Sequence, residues 1–224
     1  MSQSPVGKIT PENTMRYRQG WKALNRLLHE DRSFSGYERN CVFLNCRGDG
    51  FADISSTSGF DFPDDSRAVT AVDWDFDGDL DLWMTARTAP RLRFLRNDSP
   101  SSTDWVAFKL AGNGTTTNRD AIGALVRLHL RGQPVPLMRR VHAGDAFLSQ
   151  SSSWLHFGIG PNSEIERITV QWPGGTQQSI TGLERGRRYI VKQGAGVAES
   201  WLPVPGRKNF SPSSPQFPEQ DSIS

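Results

Sequence analysis

The residues with the clearest chemical potential are Asp73, Asp75, Asp77, Asp79 and Asp81, at every second position of the stretch AVDWDFDGDLDLW. Like charges this close repel unless a cation or protons neutralise them. A hard divalent cation takes six to eight oxygens at about 2.3–2.6 Å, and alternating aspartates supply them when the chain curls around the ion. Calcium suits five carboxylates better than magnesium, which keeps several waters and recruits one or two carboxylates. Gly78 permits the sharp turn this needs. The first half reads D-x-D-x-D-G, as in an EF-hand loop. The second half does not, because the twelfth position is Met84 rather than a bidentate glutamate, and the flanks alternate as strands do. The expectation is a calcium loop inside a β-hairpin. Asp73, Asp75 and Asp77 would ligate through their side chains and residue 79 through its carbonyl, with Asp81 closing the ring and the Asp79 carboxylate pointing outward. The competing reading is a solvated acidic turn without metal. Catalysis by such an ion would require an open coordination position and convergent acid–base groups, and the pattern identifies neither.

Other reactive residue types are sparse. The four histidines, His29, His129, His142 and His156, have no metal-ligand spacing. A His142/Asp145/Ser149 constellation is conceivable, but triads are defined by geometry, and closeness in sequence argues weakly for one. No G-x-S-x-G elbow or phosphate-binding glycine loop occurs. Cys41 and Cys46, on the strand-like run CVFLNC, would face opposite sides of a sheet, so they are expected to be small, partly buried residues and not a disulfide. Arg47-Gly48-Asp49 reads as part of a tight turn. Arginines 139, 140, 185, 187 and 188 read as solvated faces. With a net charge of +2 and no aromatic interleaving, no nucleic-acid partner is expected. No apolar run reaches the ~18 residues of a membrane span, and the first nineteen residues lack the apolar core of a signal peptide.

The surrounding pattern is that of a turn-rich, all-β, mainly antiparallel chain with one helix. Thr10-Pro11-Glu12 gives a hydroxyl cap, a first-turn proline and an acid near the positive end of the dipole. Trp21, Leu24, Leu27 and Leu28 follow at helical spacing, so a helix over 12–30 with a core-facing stripe is expected. Short strands are expected at 41–44, 51–54, 68–72, 80–84 and 91–95. A polar break at 100–103 marks an expected domain boundary. Further strands are expected at 105–110, 124–130, 155–157, 168–172 and 189–191, with WPGGTQQ as a turn, which suggests a small sandwich. Beyond Gly194 the Pro/Ser-rich composition predicts a largely disordered tail. The expected divisions are 1–32, 33–99, 104–194 and 195–224.

Two resemblances add to this reading. AVDWDFDGDLDLW, preceded by FLNCRGDGFADISSTSGF, resembles the FG-GAP/VCBS-type repeat of integrin-like β-propellers. TNRDAIGALVRLHL, HAGDAFLSQSSSWLHFGIG and ITVQWPGGTQQ resemble the ASPIC/UnbV domain, found in proteins related to cartilage acidic protein and in bacterial relatives, some encoded with enediyne biosynthesis genes. The resemblance implies a partial propeller with a calcium hairpin, calcium ligands at Asp73, Asp75, Asp77 and Asp81, and a following β domain. Asn118, Arg119 and Asp120 match that domain's polar turn, with no known chemistry. Family members are often extracellular, and the chain leaves its compartment open. Residues 33–98 suffice for about one to one and a half blades, so open sheet edges must be covered, or pair with another copy, or belong to a longer parent. The functional expectation is a calcium-binding interaction or scaffold module that presents loops to a protein or glycan. The alternative is an accessory enzyme of natural-product or carbohydrate metabolism, or a truncated fragment of a multi-blade protein.

Overall fold

The computed structural model describes residues 10–30, 39–46, 48–87, 89–98 and 104–203. Contacts divide the chain into two compact units, 1–65 and 66–224. The break falls at Asp65/Ser66, where the sequence predicts a boundary at 100–103. The aspartate run therefore shares a unit with the second β region.

In the first unit, α1 (Pro11–His29) starts as its sequence dictates: the Thr10 Oγ1 accepts from the Asn13 amide at 3.2 Å, with Pro11 in the first turn. Its apolar stripe differs from expectation. Trp21 is 48 % exposed, and Met15, Tyr17 and Leu27 are exposed too. Helical spacing sets a face but does not supply a partner for it, and among the described residues no strand of this unit packs on α1. Next come β1 (Phe43–Asn45) and β2 (Phe51–Asp53), an antiparallel hairpin with Phe43 opposite Asp53. The Cys46 and Asp49 amides close its turn; Arg47 lies outside the described residues. Both cysteines are free, as expected, but exposed rather than partly buried, because a two-stranded ribbon covers little.

The second unit opens with an antiparallel meander of β3 (Ser66–Val72), β4 (Asp81–Ala86) and β5 (Leu92–Leu95). Val72 stands opposite Asp81, so β3 and β4 deliver the aspartate loop from a paired hairpin. Trp74, Trp83 and Phe94 pack together at the sheet, with ring centroids 4.6–6.3 Å apart.

Eight further strands follow: β6 (Trp105–Ala111), β7 (Leu125–Leu130), β8 (Leu137–Arg140), β9 (Leu155–Gly158), β10 (Ile165–Gln171), β11 (Gln177–Ile180), β12 (Arg187–Lys192) and β13 (Glu199–Trp201). They form two four-stranded sheets, ordered β11-β10-β7-β8 and β13-β12-β6-β9, antiparallel except for the parallel pair β12–β6. Alternation in β7 buries Val126, Leu128 and Leu130, which join Phe108, Phe157, Val170, Trp172 and Val191 in one core. Each such side chain contributes about 1.5–3 kcal/mol by leaving water. Three strands escape the sequence reading. β8 is half arginine, β11 (QQSI) begins inside the glycine-rich turn, and β13 lies where composition predicts the tail. Residues 204–224 of that tail lie outside the described residues.

The open edge of β3 is covered from within the unit. Thr70 Oγ1 donates to the Gln150 carbonyl at 2.8 Å and Ser149 Oγ to the Val69 carbonyl at 2.8 Å. The Ala71 amide donates to Ser151 Oγ at 3.2 Å, and the Ser152 amide to the Ala71 carbonyl at 3.0 Å. The serine run thus lies along the strand and occupies polar groups that would otherwise template pairing with another chain.

Candidate metal loop and its seat on the sandwich

Between β3 and β4 the chain turns twice through left-handed backbone, at Phe76 (φ 64°) and Gly78 (φ 107°). A bulky residue seldom adopts such a φ, so the bend at Phe76 needs support from elsewhere. The bend gathers Asp73, Asp75 and Asp77: one carboxylate oxygen of each lies within 4.8 Å of the others. Asp81 is fully buried and serves the loop differently. Its Oδ2 accepts from the Trp74 amide at 3.0 Å and its Oδ1 from the Asn97 amide at 2.9 Å, tying the loop to the chain beyond β5. Asp77 Oδ1 accepts from the Asp79 amide at 3.0 Å.

Three carboxylate oxygens, Asp73 Oδ1, Asp75 Oδ1 and Asp79 Oδ1, are buried without a hydrogen-bond partner. An unsatisfied buried acceptor costs about 1–3 kcal/mol, more when charged. The Asp79 carboxylate is therefore not simply turned outward, as its spacing predicts. Burial, with the neighbouring charges of Asp77 and Asp81, pushes its pKa up to about 7. Burial raises Asp73 as well, against the lowering influence of Arg188, and burial with Asp77 and Asp81 raises Asp75. The loop thus holds more negative charge than its own surroundings neutralise.

Part of the neutralisation comes from a residue the sequence reading placed on a solvated face. Arg188, on β12, is 6 % exposed, and its Nη2 pairs with Asp73 Oδ2. Its guanidinium lies over the rings of Trp105 (4.7 Å to the centroid) and Phe76 (5.2 Å), and Nη1 donates to the Phe76 carbonyl at 3.5 Å. These contacts brace Phe76 in its left-handed conformation, while Asp73 Oδ1 is left without a donor. Gly78 rests on Trp105 so closely that a Cβ would fall 2.0 Å from the indole Nε1. His156 stacks on the same indole at 5.6 Å, and its Nε2 hydrogen-bonds the Gly78 carbonyl at 2.8 Å. Since a carbonyl only accepts, Nε2 carries the proton.

Burial lowers the His156 pKa below 6.5, despite the opposing hydrogen bond to Gly78. A histidine depressed in the folded state favours unfolding once it is protonated. Its contribution is complete above the unfolded value of about 6.5 and is lost as pH falls from there toward the lower folded value. Urea denaturation of the wild type and of His156→Gln at pH 7.5 and 5.5 is expected to show the larger acid loss in the wild type. Equal losses would remove His156 from the seat.

Two members of the His142/Asp145/Ser149 constellation are engaged elsewhere. Ser149 Oγ donates to the Val69 carbonyl, and Asp145 Oδ1 accepts from the Ser151 amide at 2.9 Å. The Asn118 side chain closes its own turn, accepting from the Ile122 amide at 2.8 Å and donating to the Ile122 carbonyl at 3.0 Å. His156 and Arg188, the two polar groups that grip the loop, both come from the long β region that follows it.

Residues 114–198 match the family described as ASPIC and UnbV. No curated protein matches the chain. The ASPIC and UnbV segment spans β7 to β12 and ends just before β13. It contains both His156 and Arg188, whereas the aspartate loop and Trp105 precede it. The seat of the loop is thus built across the segment's boundary, with Trp105 between the two polar grips. No helix among the described residues is long and apolar enough to cross a membrane.

Proposed function

We propose that residues 73–81 bind a calcium ion and that the ion-stabilised hairpin, seated on the ASPIC and UnbV segment, forms a scaffold whose loops engage a protein or glycan partner. Asp73, Asp75 and Asp77 would hold the ion with the Asp79 carbonyl beside them, and Asp81, whose two oxygens accept from the Trp74 and Asn97 amides, would brace the loop around it. When bound, the ion supplies positive charge to buried carboxylate oxygens that lack a donor. The observation that carries this reading is the convergence of three carboxylates in a loop with three orphaned buried oxygens. In the same reading the meander β3–β5 is an FG-GAP/VCBS-type element, three strands of the four that make a propeller blade.

Calorimetric titration of the full chain with calcium is expected to give one site per chain, with a dissociation constant between about 10⁻⁷ and 10⁻³ M. Asp75→Asn, which keeps the size of the side chain, is expected to abolish the heat, and magnesium to bind more weakly. An Asp75→Asn protein that binds calcium as the wild type does would defeat the assignment.

A further inference from the structure

The two sandwich sheets end on the same side in the edge strands β8 and β9, which are joined by residues 141–154. Here, against Ala71 and Leu80 of the hairpin, lies a cavity of about 450 Å³, within the size range of small-molecule sites. Its lining includes Arg139, Arg140 and His142 with one carboxylate, Asp145, which already accepts from the Ser151 amide; as neighbours on β8 the two arginines leave the strand on opposite faces at the cavity's rim. Arg139 Nε donates to the His156 carbonyl at 3.4 Å and Arg140 Nη1 to the Gly123 carbonyl at 3.3 Å. Both guanidiniums are exposed, and neither forms an ion pair among the described residues. Gln150 and Ser153 add exposed polar groups, and the Trp154 indole, packed on Trp201 at 5.1 Å, adds a fixed aromatic surface.

We infer that this cavity binds an acidic saccharide, a sugar carrying a carboxylate or sulfate. Guanidinium groups make charge-assisted, often bidentate bonds to such anions. Amide and hydroxyl groups match sugar hydroxyls, and an indole offers an apolar body beside a polar edge. A neutral sugar leaves the cations unanswered, and an acidic peptide makes poor use of the indole and hydroxyls. The inference deepens the binding-module reading and rests on it, but not on the calcium site.

The test is calorimetric titration of the full chain, once with calcium and once with EDTA. The ligands are an unsulfated hyaluronan disaccharide, a chondroitin sulfate disaccharide, lactose and tetraglutamate. Saturable binding of an acidic disaccharide is expected, with lactose and tetraglutamate at least about tenfold weaker. Binding of the hyaluronan disaccharide identifies carboxylate as sufficient, and binding of the sulfated one alone identifies sulfate. Arg139→Ala/Arg140→Ala is expected to weaken binding at least about tenfold, the loss of one charge-assisted hydrogen bond being enough for that, with the melting temperature unchanged. If that variant does not fold, Arg140→Gln serves in its place. No binding of either acidic disaccharide, lactose or tetraglutamate binding as tightly, or unchanged affinity in the arginine variant would each overturn the inference. Acid binding that persists in EDTA sustains it even if calcium does not bind. A calcium response without acid binding defeats it alone.

Discussion

Arg188→Ala is expected to destabilise the unit 66–224 by about 3–5 kcal/mol in EDTA, the usual cost of removing one partner from a buried ion pair. The side chains of Arg188 and Asp73 are only 7 % and 10 % exposed, so water cannot replace the guanidinium. The loss includes more than the pair. The cation also lies over Trp105 and Phe76, contacts worth roughly 0.5–2 kcal/mol each when desolvated, and it supports the left-handed turn at Phe76. In the proposed calcium loop the ion would give Asp73 another positive neighbour, so on that proposal the same substitution is expected to cost less in calcium than in EDTA. Urea denaturation under both conditions measures the difference. A cost below about 1 kcal/mol in EDTA would place Arg188 among ordinary surface arginines.

Gly78→Ala is expected to be nearly as damaging, at about 2–4 kcal/mol, by combining overpacking with backbone strain. The added carbon would sit 2.0 Å from Trp105 Nε1 and 2.3 Å from its Cε2, at a residue whose φ is +107°. Gly132 provides the control. It too has a positive φ, +76°, but a Cβ there meets nothing within 4 Å. Gly132→Ala reports backbone strain alone, and the excess loss in Gly78→Ala reports the contact between hairpin and indole. Equal losses in the two variants would mean that the loop does not rest on Trp105.

The aspartate loop was legible because its signal is local. Period-two acids and a glycine mark the turn within a few residues, and the structure does bring Asp73, Asp75 and Asp77 together. Its anchor was not legible. Arg188 is 115 positions from Asp73 and sits among other arginines, so only the pairing of β12 with β6 shows that it points at the loop. The strands followed the same rule. β7 announces itself by strict alternation, whereas β8 (LMRR) and β11 (QQSI) are short edge strands without that alternation, paired with β7 and β10. The serine run 149–152 carries no periodic signal, and its role as a cover for β3 depends on where the sandwich places it. In α1 the periodicity located the helix and its cap correctly but carried no information on whether anything packs on Trp21 or Leu27.

The most direct measurement of the central claim is the thermal melting of the full chain in excess calcium and in EDTA at neutral pH. A ligand at a hundred times its dissociation constant adds about 2.7 kcal/mol to the state that binds it, worth roughly 5–11 °C in a chain of this size. An upward shift of at least that size in calcium, absent in Asp75→Asn, is the expected result. Superimposable curves in calcium and EDTA would show that the carboxylates are neutralised by Arg188 and protons alone, and that residues 73–81 are not a calcium loop.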